Sequence, residues 1–328
     1  MTKRIAAALA VALTLVGCTR AASPHPTKTP QTGQATPARR SALRLVTAKF
    51  GLSVPLQREV AVPVAGLIYV AGGLGSSGTS TPGVSSLDPA SGRTTRRGSL
   101  RQAVHDAAGA LLDGKLFVFG GGPEVGTDVV QSFDPASGTS RIAGHLPRAL
   151  SDLSSATVGG TVYLIGGYDG RSPQAAILAT SSGTRFHRVA SLPAGLRYPA
   201  VAALGSEVII AGGVTASGPS RDVLLFDPTN GRVRVIGRLP VGIGHASAFV
   251  LGDVAYVVGG QDAAGLPVRS MFEIDPNRTH PVRRLARELP GPLSDAAVAE
   301  VGGSVYIVGG SNGSSSRQVL RARLQPSG

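Results

Sequence analysis

The sequence predicts an all-β fold made of six repeated units, each with four strands. An apolar stretch that ends in two glycines recurs along the chain, and the second glycines of these pairs are Gly73, Gly121, Gly167, Gly213, Gly260 and Gly310. They lie 46 to 50 residues apart, which leaves no room for helices between the strands. A period of this length with β-type composition is typical of propeller blades. We therefore expect a six-bladed β-propeller over residues 43–328.

The sequence of each unit predicts four strands in the same order. An alanine-rich strand such as Ala200 to Leu204 comes first, because small side chains suit the crowded centre of a ring. The second strand ends in the glycine pair, which tolerates positive φ and close backbone approach. The third ends in a turn such as Asp134-Pro135-Ala136-Ser137-Gly138, which favours a hairpin. The fourth strand carries arginines, which keep an exposed edge from pairing, and a Leu-Pro pair follows it in most units.

The two ends of the chain predict how the ring closes. The last unit stops after its third strand, at the residues before Gly328, so its outermost strand must come from elsewhere. Leu43 to Lys49 precedes the first inner strand at the spacing of an outermost strand. We expect this N-terminal segment to complete the last blade beside the C-terminal strand, and so to protect the sheet edges.

These motifs resemble the kelch repeat, over about Leu43 to the C-terminus. The resemblance rests on the aromatic-x-x-Gly-Gly of four units, the Asp-Pro turn and the Leu-Pro pair, and it implies the propeller of the galactose oxidase superfamily. Kelch units usually carry a tryptophan six residues after the turn aspartate. At these positions this chain has Thr94, Ser140, Phe186, Val233 and Pro281. We therefore expect softer packing between blades than in kelch proteins.

The N-terminus resembles a bacterial lipoprotein signal. Lys3 and Arg4 precede a short apolar run and then Leu15-Val16-Gly17-Cys18, which fits the lipobox pattern. The alternative is a chance cysteine in an ordinary signal peptide. We expect a signal peptide over residues 1–17 and a lipidated Cys18, followed by a Pro/Thr/Ala-rich tether over residues 18–42. This places the protein on the extracytoplasmic side of the bacterial cell membrane, held there by the lipid anchor.

Composition and motifs argue against several functions. The net charge is +13, but aromatic residues are 4% and tryptophan is absent, so the platforms of a nucleic-acid interface are lacking. Gly73 to Gly78 fits G-x-G-x-x-G, yet the following residues cannot open a helix, so it predicts no dinucleotide site. The sequence shows no metal-ligand spacing and no Gly-x-Ser-x-Gly motif. We expect a monomer with no cofactor, no metal and no nucleic-acid partner.

One group of candidate site residues follows from the repeat itself. Fifteen residues before each final glycine, at the start of each innermost strand, stand Arg58, Asp106, Asp152, Tyr198, His245 and Asp295. Six equivalent positions around an axis form a ring, so these side chains are candidates for binding a ligand at the mouth of the channel. The loops after the glycine pairs are expected on the same face and add Asp169, Arg171, Arg221, Asp222, Gln261, Asp262, Arg269 and Asn312.

Fold alone does not fix the function of such a ring. The main hypothesis is a binding module for a carbohydrate, a cell-wall polymer or a protein. The alternative is an enzyme that resembles the kelch-type sialic acid mutarotases, in which acid and base groups on this face move protons. A hydrated channel mouth without a ligand is a third interpretation, and the sequence assigns no catalytic residue.

Overall fold

The structure, a computed structural model, describes residues 42–122 and 126–325 of the chain. The predicted signal peptide and Cys18 lie outside these residues. Within the described ranges the fold is all-β, and no helix there is long and apolar enough to cross a membrane.

The strands follow one another with short connections. In chain order they are β1 Ala42–Thr47, β2 Val60–Val64, β3 Leu67–Ala71, β4 Thr81–Leu87, β5 Thr94–Val104, β6 Ala108–Leu112, β7 Lys115–Phe119, β8 Thr127–Asp134, β9 Thr139–Val158, β10 Thr161–Tyr168, β11 Gln174–Thr180, β12 His187–Leu196, β13 Ala200–Leu204, β14 Glu207–Ala211, β15 Val214–Thr215, β16 Gly218–Pro219, β17 Asp222–Asp227, β18 Arg232–Arg238, β19 Ser247–Leu251, β20 Val254–Val258, β21 Met271–Ile274, β22 Val282–Arg284, β23 Ser294–Val301, β24 Ser304–Ser311 and β25 Val319–Gln325.

Antiparallel four-stranded sheets account for most of these strands, in the order that the repeat predicts. Three sheets run from an inner to an outermost strand, as β2-β3-β4-β5, β13-β14-β17-β18 and β19-β20-β21-β22. A fourth has the order β23-β24-β25-β1. The short hairpin β15-β16 lies in the loop after one glycine pair. Sheets of this kind are consistent with propeller blades.

One sheet differs from the predicted set of separate four-stranded units. It has seven strands, in the order β6-β7-β8-β9-β10-β11-β12, because β9 is a single strand of 20 residues. Residues 139–150 of β9 pair with β8, and residues 151–158 pair with β10. The chain therefore stays extended through Leu146-Pro147, where we expected a break between the fourth strand of one unit and the first strand of the next.

The predicted pairing of the N-terminal strand is confirmed. β1 lies antiparallel to β25, from Ala42 opposite Gln325 to Thr47 opposite Leu320. Leu45 in this strand is buried in a cluster with residues of the last two units. The first described strand of the chain is thus part of the sheet formed by its last strands.

Inner strands of successive units contact one another, and the last contacts the first. The contacts run from β2 to β6, from β6 to β9, from β9 to β13, from β13 to β19, from β19 to β23 and from β23 back to β2. Hydrophobic clusters fill the spaces between neighbouring units, and Phe119, Phe133, Phe226 and Phe272 are among their largest fully buried side chains. At two positions where kelch units carry tryptophan, polar side chains bond across to the preceding segment: Thr94 Oγ1 donates to the Gly51 carbonyl at 3.2 Å and Ser140 Oγ to that of Ser99 at 2.8 Å.

The glycine pairs adopt the conformation that the sequence predicts. Both glycines of every pair have positive φ, between 61° and 107°. At Gly72, an added Cβ would lie 2.6 Å from the Val104 carbonyl oxygen, so the close approach also requires glycine. The amide of the next residue, Gly73, donates to that same carbonyl at 2.8 Å. The pair therefore ties the end of the second strand to the segment that leads into the following unit.

Candidate functional site

The six residues predicted to form a ring do so through their backbones. Each has a left-handed conformation, with φ from 51° to 60°, a region in which aspartate and histidine are enriched among non-glycine residues. Each amide donates to the carbonyl of the preceding ring residue, as Asp106 to Arg58 (3.2 Å), Asp152 to Asp106 (2.8 Å), Tyr198 to Asp152 (2.8 Å), His245 to Tyr198 (3.2 Å), Asp295 to His245 (2.9 Å) and Arg58 to Asp295 (2.8 Å). The hydrogen bonds form a closed cycle, so every ring amide has a partner.

The side chains of the ring are unequally exposed. The carboxylates of Asp106, Asp152 and Asp295 have side-chain exposures of 6%, 2% and 2%, while Arg58 is 26% exposed. The sequence makes all six side chains candidates for contact with a ligand at the mouth of the channel. The structure instead places the carboxylates beneath the surface and leaves a guanidinium group partly open to solvent.

Asp106 belongs to a network with two other ring residues. Arg58 Nη1 and the Tyr198 hydroxyl both donate to Asp106 Oδ2, each at 3.0 Å. Burial raises the pKa of Asp106 to about 7, and the charges of Asp152 and Asp295 add to this, although Arg58 opposes it. Asp106 therefore exchanges its proton near neutral pH.

Asp295 lies in a different setting on the ring. His245 Nδ1 is 2.6 Å from its Oδ1, and Oδ2 accepts hydrogen bonds from Ser294 Oγ at 2.7 Å and Gln261 Nε2 at 3.0 Å. Arg58 Nε lies 3.2 Å from Oδ1. Burial pushes the pKa of Asp295 upward, but the hydrogen bond and charge of His245, with Arg58 and Ser294, hold it below its ordinary value.

Asp152 is paired by an arginine that sequence reasoning missed. Arg197 Nη2 lies 2.5 Å from Asp152 Oδ2. The guanidinium carbon of Arg197 is 4.3 Å from the ring centroid of Tyr168 and 5.0 Å from that of Tyr198. Tyr198 in turn stacks on His245 with centroids 3.7 Å apart. These contacts fix Arg197 in place and cover part of the aromatic surface of Tyr198, which is half-buried.

Two more residues next to ring positions in the sequence were not predicted, His105 before Asp106 and Glu59 after Arg58. His105 Nε2 lies 3.5 Å from Asp106 Oδ2, and its Nδ1 is 2.8 Å from Ser80 Oγ. Burial and the charge of Arg58 lower the pKa of His105, against the opposing charge of Asp152. The repeat contains the signal for these residues, because His105 and Arg197 each stand one position before a ring residue, and Glu59 stands one position after.

Glu59 is a buried carboxyl group without a hydrogen-bond partner among the described residues. Its exposed fraction is 6%, and neither carboxyl oxygen makes a hydrogen bond there. Burial raises its pKa to about 8; the nearby backbone amides of Glu59 and Ala297 oppose the shift, and the charge of Asp295 adds to it. Glu59 is therefore largely neutral at pH 7.

Three cavities are lined by ring residues or by the inner strands that follow them. The first, of about 410 Å³, is lined by Arg58, Ser80, His105, Asp152, Arg197 and Tyr198, among others. A smaller one of about 130 Å³ is lined by all six ring residues and Glu59. The third, of about 460 Å³, lies between the inner strands and is lined mainly by small residues such as Ala108, Ala202 and Ala248. The 410 Å³ cavity, which we call the ring cavity, is large enough for a small ligand.

Most of the loop residues predicted for this face have other partners. Gln261 alone among them donates a hydrogen bond to a ring side chain within the described residues. Arg221 and Arg269 donate to the carbonyls of Leu239 and Leu289, at the Leu-Pro pairs.

The remaining loop residues form local contacts. Asp169 and Asp262 accept amide hydrogen bonds in their own turns. The Ser172 amide, the strongest of several donors, lowers the pKa of Asp169, and burial opposes this shift only in part. Asp222 pairs with Arg238 at 3.0 Å. Arg171 is exposed, and the Asn312 amide donates to the Ser314 carbonyl.

Comparison with known proteins adds no assignment. No protein-family model matches the chain, and no curated protein sequence matches it significantly. Among the described residues, no group of three or more His, Cys, Asp or Glu is arranged to hold a metal ion.

Proposed function

We propose that residues 43–328 form a closed six-bladed propeller of the kelch type that presents the ring cavity to a ligand. The cycle of backbone hydrogen bonds through the ring supports closure, as do the contacts that lead from β23 back to β2. The pairing of β1 with β25 supplies the last unit with its fourth strand. The continuous strand β9 joins two of the blades without changing the order of the strands within either.

Closure can be tested by two deletions in the chain. Removal of residues 19–40 leaves β1 intact and is expected to change the melting temperature little. Removal of residues 19–50 exposes the edge of β25 and is expected to lower it by about 10 °C or more, since an unpaired edge and an open ring result. Equal melting temperatures for the two deletions would contradict the closed ring.

We further propose that Cys18 carries a lipid anchor, which places the propeller outside the cytoplasmic membrane of a bacterium. The support is the lipobox-like sequence before Cys18 and the tether that follows it. Cys18→Ala is expected to abolish labelling by radioactive fatty acid in cells. Label that persists in this variant would exclude the anchor.

The function that the geometry supports best is binding of a carbohydrate or a saccharide of the cell wall. The observation that carries this proposal is the position of Arg58 and Arg197. Both line the ring cavity, are partly exposed, and are held from below by the buried carboxylates of Asp106, Asp152 and Asp295. Rigid donors around a cavity of this size suit a ligand rich in oxygen acceptors, which sugars provide.

Binding can be measured by calorimetry on the full chain in detergent, with a panel of monosaccharides, disaccharides and peptidoglycan fragments. Arg197→Gln removes a charged donor from the cavity, so the affinity for a ligand found in this panel is expected to fall roughly tenfold or more. Arg96→Gln, on β5, is the control and is expected to leave affinity unchanged. Loss of affinity in the control but not in Arg197→Gln would place the site elsewhere.

A second candidate function is acid and base catalysis on a sugar, and one observation favours it. Asp106 has a pKa of about 7, and His105, which lines the same cavity, lies 3.5 Å from it. A carboxyl group that exchanges its proton near neutral pH, with an imidazole beside it at the same cavity, can take part in proton transfer. Accelerated anomer interconversion, followed by NMR and lost in His105→Gln, would favour the enzyme over the binding module.

A further inference from the structure

Arginines are concentrated on the outermost strands of the fold, from which acidic residues are absent. The segments concerned are β5, residues 139–150 of β9, β12 and β18, and no aspartate or glutamate occurs in any of them. Nine arginines on these segments are exposed, of which Arg148 and Arg238 pair with Asp169 and Asp222. Six of the other seven form what we call the arginine rim, defined as Arg96, Arg97, Arg101, Arg141, Arg188 and Arg232. Acidic residues lie instead at the ring, in turns and on other strands.

The arginines of the rim have no acidic partner in residues 42–122 and 126–325. Within the described residues, none of the six forms an ion pair with a carboxylate. Four of them are oriented by neutral serine hydroxyls, since Arg96 donates to Ser99 at 2.9 Å, Arg97 to Ser86 at 2.8 Å, Arg141 to Ser132 at 3.4 Å and Arg188 to Ser191. These bonds position the guanidinium groups but leave their positive charge free.

The outermost strand β22 provides a contrast within the same molecule. Arg283 pairs there with Glu273 at 2.5 Å, and Arg284 pairs with Glu288 at 3.2 Å. Arg278, in the turn before β22, pairs with both Glu273 and Asp275. Arginine is thus present on this side too, but its charge is matched. Protection of a sheet edge accounts for arginine on every outermost strand, and it does not account for six arginines that have no acidic partner within the described residues.

The arginine rim is continuous from one sheet region to the next. β5 contacts β9, and Ser140 Oγ donates to the Ser99 carbonyl at 2.8 Å. Residues of β9 near Gly144 approach Thr184, in the turn before β12, and β12 contacts β18. A chain-like ligand that follows these contacts can therefore meet rim arginines on four successive outermost strands.

We propose that the arginine rim binds a flexible polyanion whose charges are phosphate groups, a site separate from the ring cavity. Guanidinium groups match phosphate oxygens in geometry and charge. The positive groups are distributed over the outer edges of successive strand groups, which suits a flexible polymer better than a flat membrane. None of the four segments contains Phe, Tyr or Trp, so the rim lacks the aromatic platforms on which nucleic-acid bases stack.

The test uses the full chain in detergent and a medium-chain inorganic polyphosphate, with affinity measured over a range of salt concentrations. The variant is Arg96→Gln, Arg97→Gln, Arg101→Gln and Arg141→Gln combined, all on the contacting strands β5 and β9. The control is Arg238→Gln, Arg278→Gln, Arg283→Gln and Arg284→Gln combined, which removes the same number of charges from arginines that already have acidic partners.

The rim variant is expected to bind polyphosphate at least about tenfold more weakly, with a shallower dependence of log Kd on log salt, because fewer counterions are released. The control is expected to stay within about threefold of the natural sequence. Equal weakening of polyphosphate binding in the rim variant and the control would show that net charge alone acts. That result would overturn the proposed site on the arginine rim. The corresponding lysine variant at the four rim positions is expected to retain most of the affinity and shows that the fold survives change there.

Three further probes distinguish the source of the phosphates. A synthetic poly(glycerol phosphate) is expected to bind in the same rim-dependent manner, and failure to bind it would restrict the site to inorganic polyphosphate. Rim-dependent binding to phosphatidylglycerol vesicles without binding to either polymer would overturn the proposal in favour of a membrane surface. Tighter rim-dependent binding to single-stranded DNA than to both polymers would overturn it in favour of nucleic acid. None of these outcomes depends on a ligand in the ring cavity.

Discussion

Asp106 and Asp295 occupy equivalent positions of the repeat and are almost equally buried, yet their carboxyl groups are shifted in opposite directions. Burial raises the pKa of Asp106 to about 7, whereas the pKa of Asp295 lies below its ordinary value in spite of burial. The difference is in the donors. Asp295 is contacted by His245, Ser294, Gln261 and Arg58, while Asp106 receives Arg58 and Tyr198 and faces the charges of two other aspartates.

Glu59 is a third buried carboxyl group, and it has no hydrogen-bond donor within the described residues. Its carboxyl oxygens make no hydrogen bond within the described residues, and its pKa rises to about 8. Across the three groups, the protonation state follows the number and charge of hydrogen-bond donors more closely than the depth of burial or the position in the repeat. A repeat fixes where a side chain lies, and neighbouring residues that differ between units fix its chemistry.

The largest expected effect is on the well-paired carboxylate. Asp295→Asn removes the charge that compensates Arg58 and His245, so the free energy of unfolding at pH 6 is expected to fall by about 3–5 kcal/mol. Asp106→Asn replaces a group that is already largely protonated at this pH and is expected to cost about 1 kcal/mol. Urea unfolding of the full chain at pH 6 measures both. Equal losses would remove the distinction between the two aspartates.

An effect of intermediate size is expected at Glu59, and it depends on pH. Because its pKa in the folded protein lies above that in the unfolded chain, the folded state binds more protons between about pH 4.5 and pH 8, and its stability falls as pH rises through this window. Glu59→Gln removes this loss. The variant is expected to gain on the order of 2–4 kcal/mol over the natural sequence at pH 9.

The same comparison at low pH is the control for Glu59. At pH 4 the carboxyl is protonated in the folded state and mostly protonated in the unfolded chain, so Glu59→Gln is expected to change stability by less than about 1 kcal/mol. Thermal and urea unfolding at pH 4 and pH 9 give the two values. A gain of the same size at both would mean that packing, not charge, is responsible.

The smallest expected effect is on the tyrosine that bridges Arg58 and Asp106. Tyr198→Phe removes one hydrogen bond to the carboxylate and is expected to cost about 1 kcal/mol. Since this bond favours the charged form, its loss is expected to raise the pKa of Asp106 further while leaving Asp295 unchanged. Carboxyl carbon NMR over a pH titration follows both groups. A shift at Asp295 as large as that at Asp106 would show that the ring titrates as one unit.

The repeat made much of the fold predictable from the sequence. The glycine spacing locates the second strands, and the missing fourth strand of the last unit predicts the pairing of β1 with β25. Asp-Pro turns also form as expected, with the Gly92 amide donating to the Asp88 carbonyl at 2.7 Å. These features depend on local backbone chemistry, which a sequence states directly. The continuity of β9 was not predicted, because a Leu-Pro pair is compatible with either a break or an extended chain.

The candidate site was predictable in position but not in detail. Counting from the glycines gives all six ring residues, and the same count shifted by one residue gives His105, Arg197 and Glu59. Which of these side chains pair with one another depends on rotamers and on distances across the axis. The burial of the three ring aspartates beneath Arg58 and Arg197 is of this kind, and a pattern along the chain contains no information on it.

The six left-handed residues of the ring hold their cycle together through amide and carbonyl groups alone. The backbone cycle itself therefore requires no particular side chain, although each of the six positions requires a residue that tolerates positive φ. Exchange of Arg58 or Tyr198 for a residue that adopts this conformation readily, such as asparagine, is expected to leave the cycle in place. At the ring, the backbone hydrogen bonds that join successive units are thus separate from the side-chain contacts that differ between them.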